Sequence, residues 1–115
     1  MIKLHRSDCS ILPLVLKLRW FDMIKSGEKR QEYRDMTDYW STRLANWNHS
    51  PLTHVVEFRH GYRRNASRVS FLAAPLQTRG GPSFFAVTAF SSSPEWGEPH
   101  HPHYLIQLGQ PVTLI

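Results

Sequence analysis

The stretch SGEKRQEYR, residues 26–34, joins a predicted helix to a predicted strand, and the interpretation of the whole chain starts from it. Before it, RWFDMIK has helical apolar spacing, and Gly27 stands where a helix C-cap is expected. After it, KRQEYRDM alternates as a strand does, so that Glu32 and Arg34 share one face. Such a junction presents Lys29 at the rim of a sheet, where its amine can reach into a cleft.

Two chemical interpretations of this junction follow from the residue types. A carboxylate beside an arginine stays ionised and holds the guanidinium in place. Lys29, Glu32 and Arg34 together could therefore grip a phosphate, or polarise a carbonyl while Glu32 moves a proton. The structural alternative is a Glu32–Arg34 ion pair that only positions the strand, with Lys29 in solvent. Spacing alone favours this structural alternative.

The remaining elements predict an α+β domain. Helices are expected over 19–26 and over 38–47, where Thr37 and Asp38 are good helix-start residues. The second helix carries an apolar stripe made of Met36, Trp40, Leu44 and Trp47. Strands are expected over 12–18, 29–36, 53–62, 67–76, 84–90 and 104–115, and residues 1–11 are expected to be a loose or edge segment. Because no βαβαβ rhythm is sustained, we predict a sheet that is partly or wholly closed into a small barrel.

Length and charge narrow the class of protein. The 115 residues fit one domain, 1–115, and the net charge is +5 with a sequence pI near 9.8. Between Phe58 and Pro94 there is no Asp or Glu, whereas Arg59, Arg63, Arg64, Arg68 and Arg79 all lie in that span. This distribution predicts a positive face suited to phosphate, and a merely solubilising surface is the alternative.

Cysteine content and hydropathy favour a cytoplasmic protein. Cys9 is the single cysteine, which excludes an internal disulfide. No apolar run approaches the length of a membrane-spanning helix, and the charged N-terminal stretch does not have a signal-peptide pattern. We therefore expect no membrane association.

Four segments in order resemble the ASCH domain family. LKLRWFDMIKSGEKRQEYR is similar to its signature Gly-x-Lys-x-x-Glu-x-Arg, with Gly27, Lys29, Glu32 and Arg34 at the four positions, within a signature region over 12–34. DMTDYWSTRL resembles the following helix of small bacterial and phage-type members. VVEFRHGY resembles their Phe-Arg-Asn-Gly-Tyr strand with His60 at the Asn position, and PEWGEPHHPHYLIQLGQPV resembles their Trp-Gly loop and closing Leu-Gly strand. The resemblance covers roughly residues 12–112.

This resemblance implies a PUA-like fold, a small mixed β-barrel with two flanking N-terminal helices and a cleft at the signature. It also implies a module that binds nucleic acid, with RNA or a nucleotide as the partner and with no cofactor and no metal. Single-stranded or flipped nucleotides suit a small cleft, because their bases are free to stack. The residues expected to contact nucleic acid are Lys17, Trp20, Lys29, Glu32, Tyr33, Arg34, Arg59, His60, Tyr62, Arg63, Arg64 and Trp96.

An enzyme is the alternative that stays open. Some members of the family remove the acyl group from acetylated cytidine, and others are described as ribonucleases. In an enzyme, Lys29 would be the key amine and Glu32 the acid or base. The deacylating members have Thr at the position of Glu32 and a second carboxylate in a later strand, for which Glu57 is the nearest candidate here. That amidohydrolase chemistry therefore carries over poorly.

Histidines and tryptophans supply the last candidates. The cluster HHPH, with His100, His101 and His103, has no cysteine near it, so a solvated loop is expected rather than a zinc site. Trp20 and Trp96 are the better stacking candidates, because Trp40 and Trp47 lie on the helical stripe and are expected in the core.

Overall fold

A computed structural model of the protein describes residues 1–80, 86–88 and 94–115. Two α-helices and eight β-strands lie in these described residues. The helices are α1 (Leu18–Lys25) and α2 (Asp38–His49). The strands are β1 (Ile2–Leu4), β2 (Cys9–Leu16), β3 (Gln31–Asp35), β4 (Thr53–His60), β5 (Arg68–Ala73), β6 (Gln77–Arg79), β7 (Ala86–Thr88) and β8 (His103–Leu114). The α+β class predicted from the sequence is confirmed.

The turn between α1 and β3 has the form that the sequence predicts. Gly27 adopts φ +85°, a left-handed conformation that ends the helix. A Cβ added at Gly27 would meet no atom within 4 Å, so the backbone conformation rather than space requires the glycine. The amide of Lys29 donates to the carbonyl of Met23 at 2.9 Å, which closes the turn and sets where the Lys29 side chain departs.

Both helices pack their apolar faces on the sheet. In α1 the buried residues are Phe21 and Ile24, three positions apart on one face. At the start of α2 the Thr37 hydroxyl accepts from the Trp40 amide at 3.2 Å, which is the predicted N-cap. The indole of Trp47 donates to the Ser10 carbonyl at 2.9 Å and attaches α2 to β2.

Strand β8 connects two parts of the sheet. Its first half, from His103 to Gln107, pairs antiparallel with β3, and part of it pairs with β6 on the other side. Its second half pairs with β5 and, in parallel, with β1. The path continues from β5 to β4 and then to β2, which runs parallel to β4 with α1, β3 and α2 between them in the chain.

The predicted closure into a barrel is wrong. The path of paired strands runs from β2 through β4, β5, β8 and β6 to β7, and within the described residues its two ends do not pair. The reason lies in β8, whose two halves have different neighbours, so the sheet branches around one long strand instead of closing.

Other expectations are refined by the structure. Residues 1–11 contain an edge strand, β1, and the beginning of β2, so they are not loose. Met36 precedes α2 and is exposed, so the buried stripe consists of Leu44 and Trp47 with Trp40 half-buried. The strand predicted over 84–90 includes β7, and its remaining residues lie outside the described ones. No helix in the described part of the chain is both long enough and apolar enough to cross a membrane.

Candidate functional site

Lys29, Glu32 and Arg34 converge, as the spacing allows. Glu32 Oε1 accepts from Arg34 Nη1 at 3.0 Å and lies 3.6 Å from Lys29 Nζ. The same oxygen accepts from the Tyr33 amide at 2.9 Å, which holds the carboxylate in place. One buried carboxylate therefore faces two cations, and the three groups form a cluster that we call the motif triad.

Burial separates the motif triad from a surface ion pair. Lys29 is only 4% exposed and Glu32 only 3%, so the alternative that places Lys29 in solvent is wrong. The Lys29 amine lies 4.6 Å from the centre of the Trp20 ring and 5.4 Å from that of Tyr33. Burial lowers the pKa of Lys29, and the neighbouring Glu32 carboxylate opposes this by raising it.

A small cleft opens beside the motif triad, and we call it the Lys29 cleft. Its volume is about 220 Å³, and its aromatic walls include Trp20, Tyr33 and Trp96. Gly97, at φ +77°, packs against the Trp20 ring so closely that an added Cβ would lie 2.9 Å from its edge. Residues Trp20, Lys29, Glu32, Tyr33, Arg34 and Trp96, all predicted as site residues, line this one cleft.

Two polar atoms of the motif triad have capacity for a further partner. Glu32 Oε2 and Arg34 Nε are buried and have no hydrogen-bond partner within the described residues. A buried acceptor or donor without a partner costs free energy, on the order of 1–3 kcal/mol each. Groups of this kind are commonly found where a ligand supplies the missing bond. The cleft thus presents a carboxylate acceptor next to a guanidinium donor.

A second buried charge network supports the wall of the cleft. Glu98, one residue after Gly97, accepts from Arg79 Nη1 at 2.7 and 2.8 Å and lies 2.9 Å from His103 Nε2. His103 is fully buried, so the expectation that it belongs to a solvated loop is wrong. The network ties the loop that carries Trp96 and Gly97 to β6 and β8.

The other predicted site residues lie outside the Lys29 cleft. Arg59 and Tyr62 line a neighbouring groove of about 410 Å³, which Arg34 also lines. His60 and Arg63 line a broader depression with Tyr62, and the His60 ring lies 6.0 Å from that of Phe21. Lys17 caps α1 and Arg64 is exposed beyond β4, and neither lines the cleft.

Carboxylates and histidines elsewhere form no second catalytic group in the cleft. Glu57, the nearest candidate from sequence, pairs with Arg6 at 2.6 Å and lies outside the cleft. His101 lies 2.8 Å from the exposed carboxylate of Asp35. In the part of the chain that the structure describes, no three His, Cys, Asp or Glu side chains are grouped as metal ligands would be.

Sequence reasoning missed two parts of this region. Glu98 and its partners are separated by 5 and 19 positions, so no local pattern connects them. Tyr39, Trp40 and Arg43 line the neighbouring groove, whereas Trp40 was expected in the core. The exposed position of Tyr39 one residue before Trp40 on a helix was the available signal. Comparisons of the chain with protein-family models, curated proteins and solved structures found no match.

Proposed function

We propose that this protein is a PUA-like domain of the ASCH type that binds single-stranded RNA through the Lys29 cleft. The observation that carries the proposal is the buried motif triad, in which one carboxylate and two cations line a cleft with aromatic walls. The motif Gly27, Lys29, Glu32 and Arg34 and its order among the other resembling segments support the same family.

The size and walls of the cleft suit one nucleotide. Its volume of about 220 Å³ is below the range of about 300–1,000 Å³ that drug-sized ligands occupy. Trp20 and Trp96 offer faces for a base, and stacking on an aromatic side chain contributes about 1–3 kcal/mol per base. A base flipped out of a strand therefore fits better than a duplex, whose base faces are already covered.

The polar groups suit a base and its phosphate. Glu32 Oε2 can accept from an exocyclic amino group, as carboxylates do from cytosine N4. Lys29 and Arg34 can donate to a base carbonyl or to a phosphate oxygen. The remaining positive charge of the chain, +5 in total, attracts the rest of the strand.

The test is a salt titration of RNA binding by wild-type protein and by Lys29→Met. Binding should weaken as salt rises, and loss of one phosphate contact should reduce the slope of log K against log salt by about 0.7. Lys3→Met is the matched control, because Lys3 is exposed on β1 and has the same charge. We expect Lys29→Met to weaken binding about tenfold or more, against little change in Lys3→Met. Absence of RNA binding at low ionic strength, relative to a neutral control protein, would contradict the proposal.

A second candidate, an enzyme that acts on RNA or on a modified nucleoside, is favoured by one observation. Burial lowers the pKa of Lys29, and an amine with a lowered pKa is a better nucleophile or base at neutral pH. Lys29 would act as that amine or as an electrostatic stabiliser, and Glu32 would transfer the proton.

This candidate is tested separately from binding. Acetylated cytidine and short RNAs are incubated with wild-type protein and with Lys29→Ala, and products are followed by chromatography. Turnover that disappears in a folded Lys29→Ala protein supports the enzyme. Product formation that is unchanged in Lys29→Ala excludes Lys29 from the chemistry.

A further inference from the structure

The groove next to the Lys29 cleft is a second site with its own chemistry, and we call it the Arg34 groove. It holds about 410 Å³, and the side chains that matter for binding are Arg34, Tyr39, Trp40, Arg43, Arg59 and Tyr62. Arg34 lines both this groove and the Lys29 cleft, so the two are adjacent and share one guanidinium.

The Arg34 groove is positively charged and its cations are not neutralised inside it. No Asp or Glu is among the described residues that line it. Arg43 donates to the Tyr39 hydroxyl at 2.6 Å and to the Pro13 carbonyl at 2.9 Å, which are neutral acceptors. Arg59 donates to the Arg63 carbonyl at 2.7 Å, and its Nε is buried with no partner in the described residues. The groove is therefore an electrostatic match for an anion.

Aromatic faces stand beside these cations. Tyr62 is 86% exposed and Tyr39 is 60% exposed, which is unusual for side chains of this size. Trp40 holds the guanidinium groups of Arg34 and Arg43 at 5.0 and 5.4 Å from its ring centre. Stacked arginines keep their remaining N–H donors directed outward, and free tyrosine faces can stack on a base.

A single strand of RNA combines the two properties that the groove requires. Its phosphates are anionic at every nucleotide and its bases have free faces for stacking. A strand with one nucleotide in the Lys29 cleft must leave it past a neighbouring surface, and Arg34 is the residue that both sites share. We propose that the Arg34 groove binds the adjoining nucleotide, with its phosphate at Arg34, Arg43 and Arg59 and its base on Tyr39 or Tyr62.

This inference rests on the proposed function and makes it more specific. The ligand becomes a strand of at least two nucleotides instead of a free nucleoside. The two sites then divide the work: the Lys29 cleft selects a base through Glu32, and the Arg34 groove adds affinity without selecting a sequence.

The experiment compares cytidine 5′-monophosphate with the tetranucleotide CCCC by calorimetry, using the intact chain. We expect the tetranucleotide to bind wild-type protein at least about fivefold more tightly than the mononucleotide, the gain expected from one stacked base. Tyr62→Ala and Arg43→Gln should remove most of this gain while the mononucleotide keeps its Kd. Arg30→Gln is the control for charge, because Arg30 is exposed and lines neither site.

The outcomes separate the two proposals. If the mononucleotide binds and the tetranucleotide binds no more tightly, the Arg34 groove is overturned and the Lys29 cleft is not. If the gain survives in both Tyr62→Ala and Arg43→Gln, the groove is likewise overturned. If neither ligand binds wild-type protein, the proposed function fails and the groove fails with it. Arg43 also bonds to Tyr39, so circular dichroism of each variant is recorded, and Tyr62→Ala, which alters an exposed ring, provides the independent measurement.

Discussion

The amine of Lys29 lies 4.6 Å from the centre of the Trp20 ring, at the end of a side chain that is almost wholly buried. The indole face attracts a cation, and Glu32 supplies the opposite charge 3.6 Å away. Burial acts against both, because a charged amine loses its hydration. The balance leaves Lys29 with a lowered pKa in a position that a ligand can reach, and this relationship leads to the first prediction.

The stability of the protein should depend on pH through Lys29. Its folded pKa is below the unfolded value of 10.5, so between these two values the unfolded state binds more protons and stability rises with pH. We therefore expect the free energy of unfolding of wild-type protein, relative to Lys29→Met, to increase from the lowered pKa up to pH 10.5. Urea unfolding of both proteins at a series of pH values measures this difference.

Tyr33 provides an internal check on that experiment. Burial raises the pKa of Tyr33, so its phenol loses stability for the fold as pH rises above its unfolded value of 10.0. Both proteins contain Tyr33, and its contribution cancels in the difference. A difference that does not change with pH would contradict the lowered pKa of Lys29.

Glu32→Gln should destabilise the fold strongly. The amide leaves Lys29 and Arg34 close together without their shared carboxylate, and breaking a buried ion pair by removing one partner costs about 3–5 kcal/mol. Glu28→Gln is the matched control, because Glu28 is an exposed carboxylate in the same turn. Denaturant unfolding compares the two, and equal free energies of unfolding would show that the motif triad is not a buried charge cluster.

A double variant separates the charge effect from lost packing. In Lys29→Met with Glu32→Gln, one of the two uncompensated cations is also gone. We expect the double variant to be less destabilised than the sum of the two single variants, because residues in one ion-pair network couple. Additive free energies would mean that Lys29 and Glu32 do not interact.

Gly97→Ala should disturb the aromatic wall of the Lys29 cleft. The new Cβ would lie 2.9 Å from the Trp20 ring, so the ring or the loop must move. Gly61→Ala is the control, because Gly61 has a similar φ of +79° and open space around it. Both substitutions pay for a left-handed conformation, about 1–2 kcal/mol, and only Gly97→Ala pays for the contact.

The expected result is a larger loss of stability for Gly97→Ala than for Gly61→Ala, together with a shifted tryptophan emission. Nucleotide affinity should also fall, since the cleft wall is displaced. Identical thermal unfolding of the two variants would indicate that the Trp20 ring yields without cost.

Glu98→Gln should loosen the same wall from behind. Glu98 is 7% exposed and bonds to Arg79 and His103, so the amide would leave a buried guanidinium without its carboxylate. We expect a loss of about 3 kcal/mol in the free energy of unfolding and weaker nucleotide binding. Glu95→Gln, an exposed carboxylate three residues earlier, should change neither quantity. Amide hydrogen exchange of residues 96–99 that is the same in wild type and Glu98→Gln would contradict this role.

Local features were predictable because they depend on neighbours in the chain. The end of α1 at Gly27, the Thr37 cap of α2 and the shared face of Glu32 and Arg34 follow from spacing and backbone preference. Features that join distant residues were not. The barrel prediction failed because strand propensity does not specify which strands pair along β8.

The sequence by itself determined that an amine, a carboxylate and a guanidinium would stand at a helix–glycine–strand junction. Only the tertiary structure decided that this junction is buried, since the Gly97 loop lies against Trp20 from 77 positions away and Glu98 is tied to Arg79 and His103. Burial, distance and local dielectric set the strength of charges, and these are properties of the folded chain. For that reason the motif could be found in the sequence, whereas its chemistry had to be found in the structure.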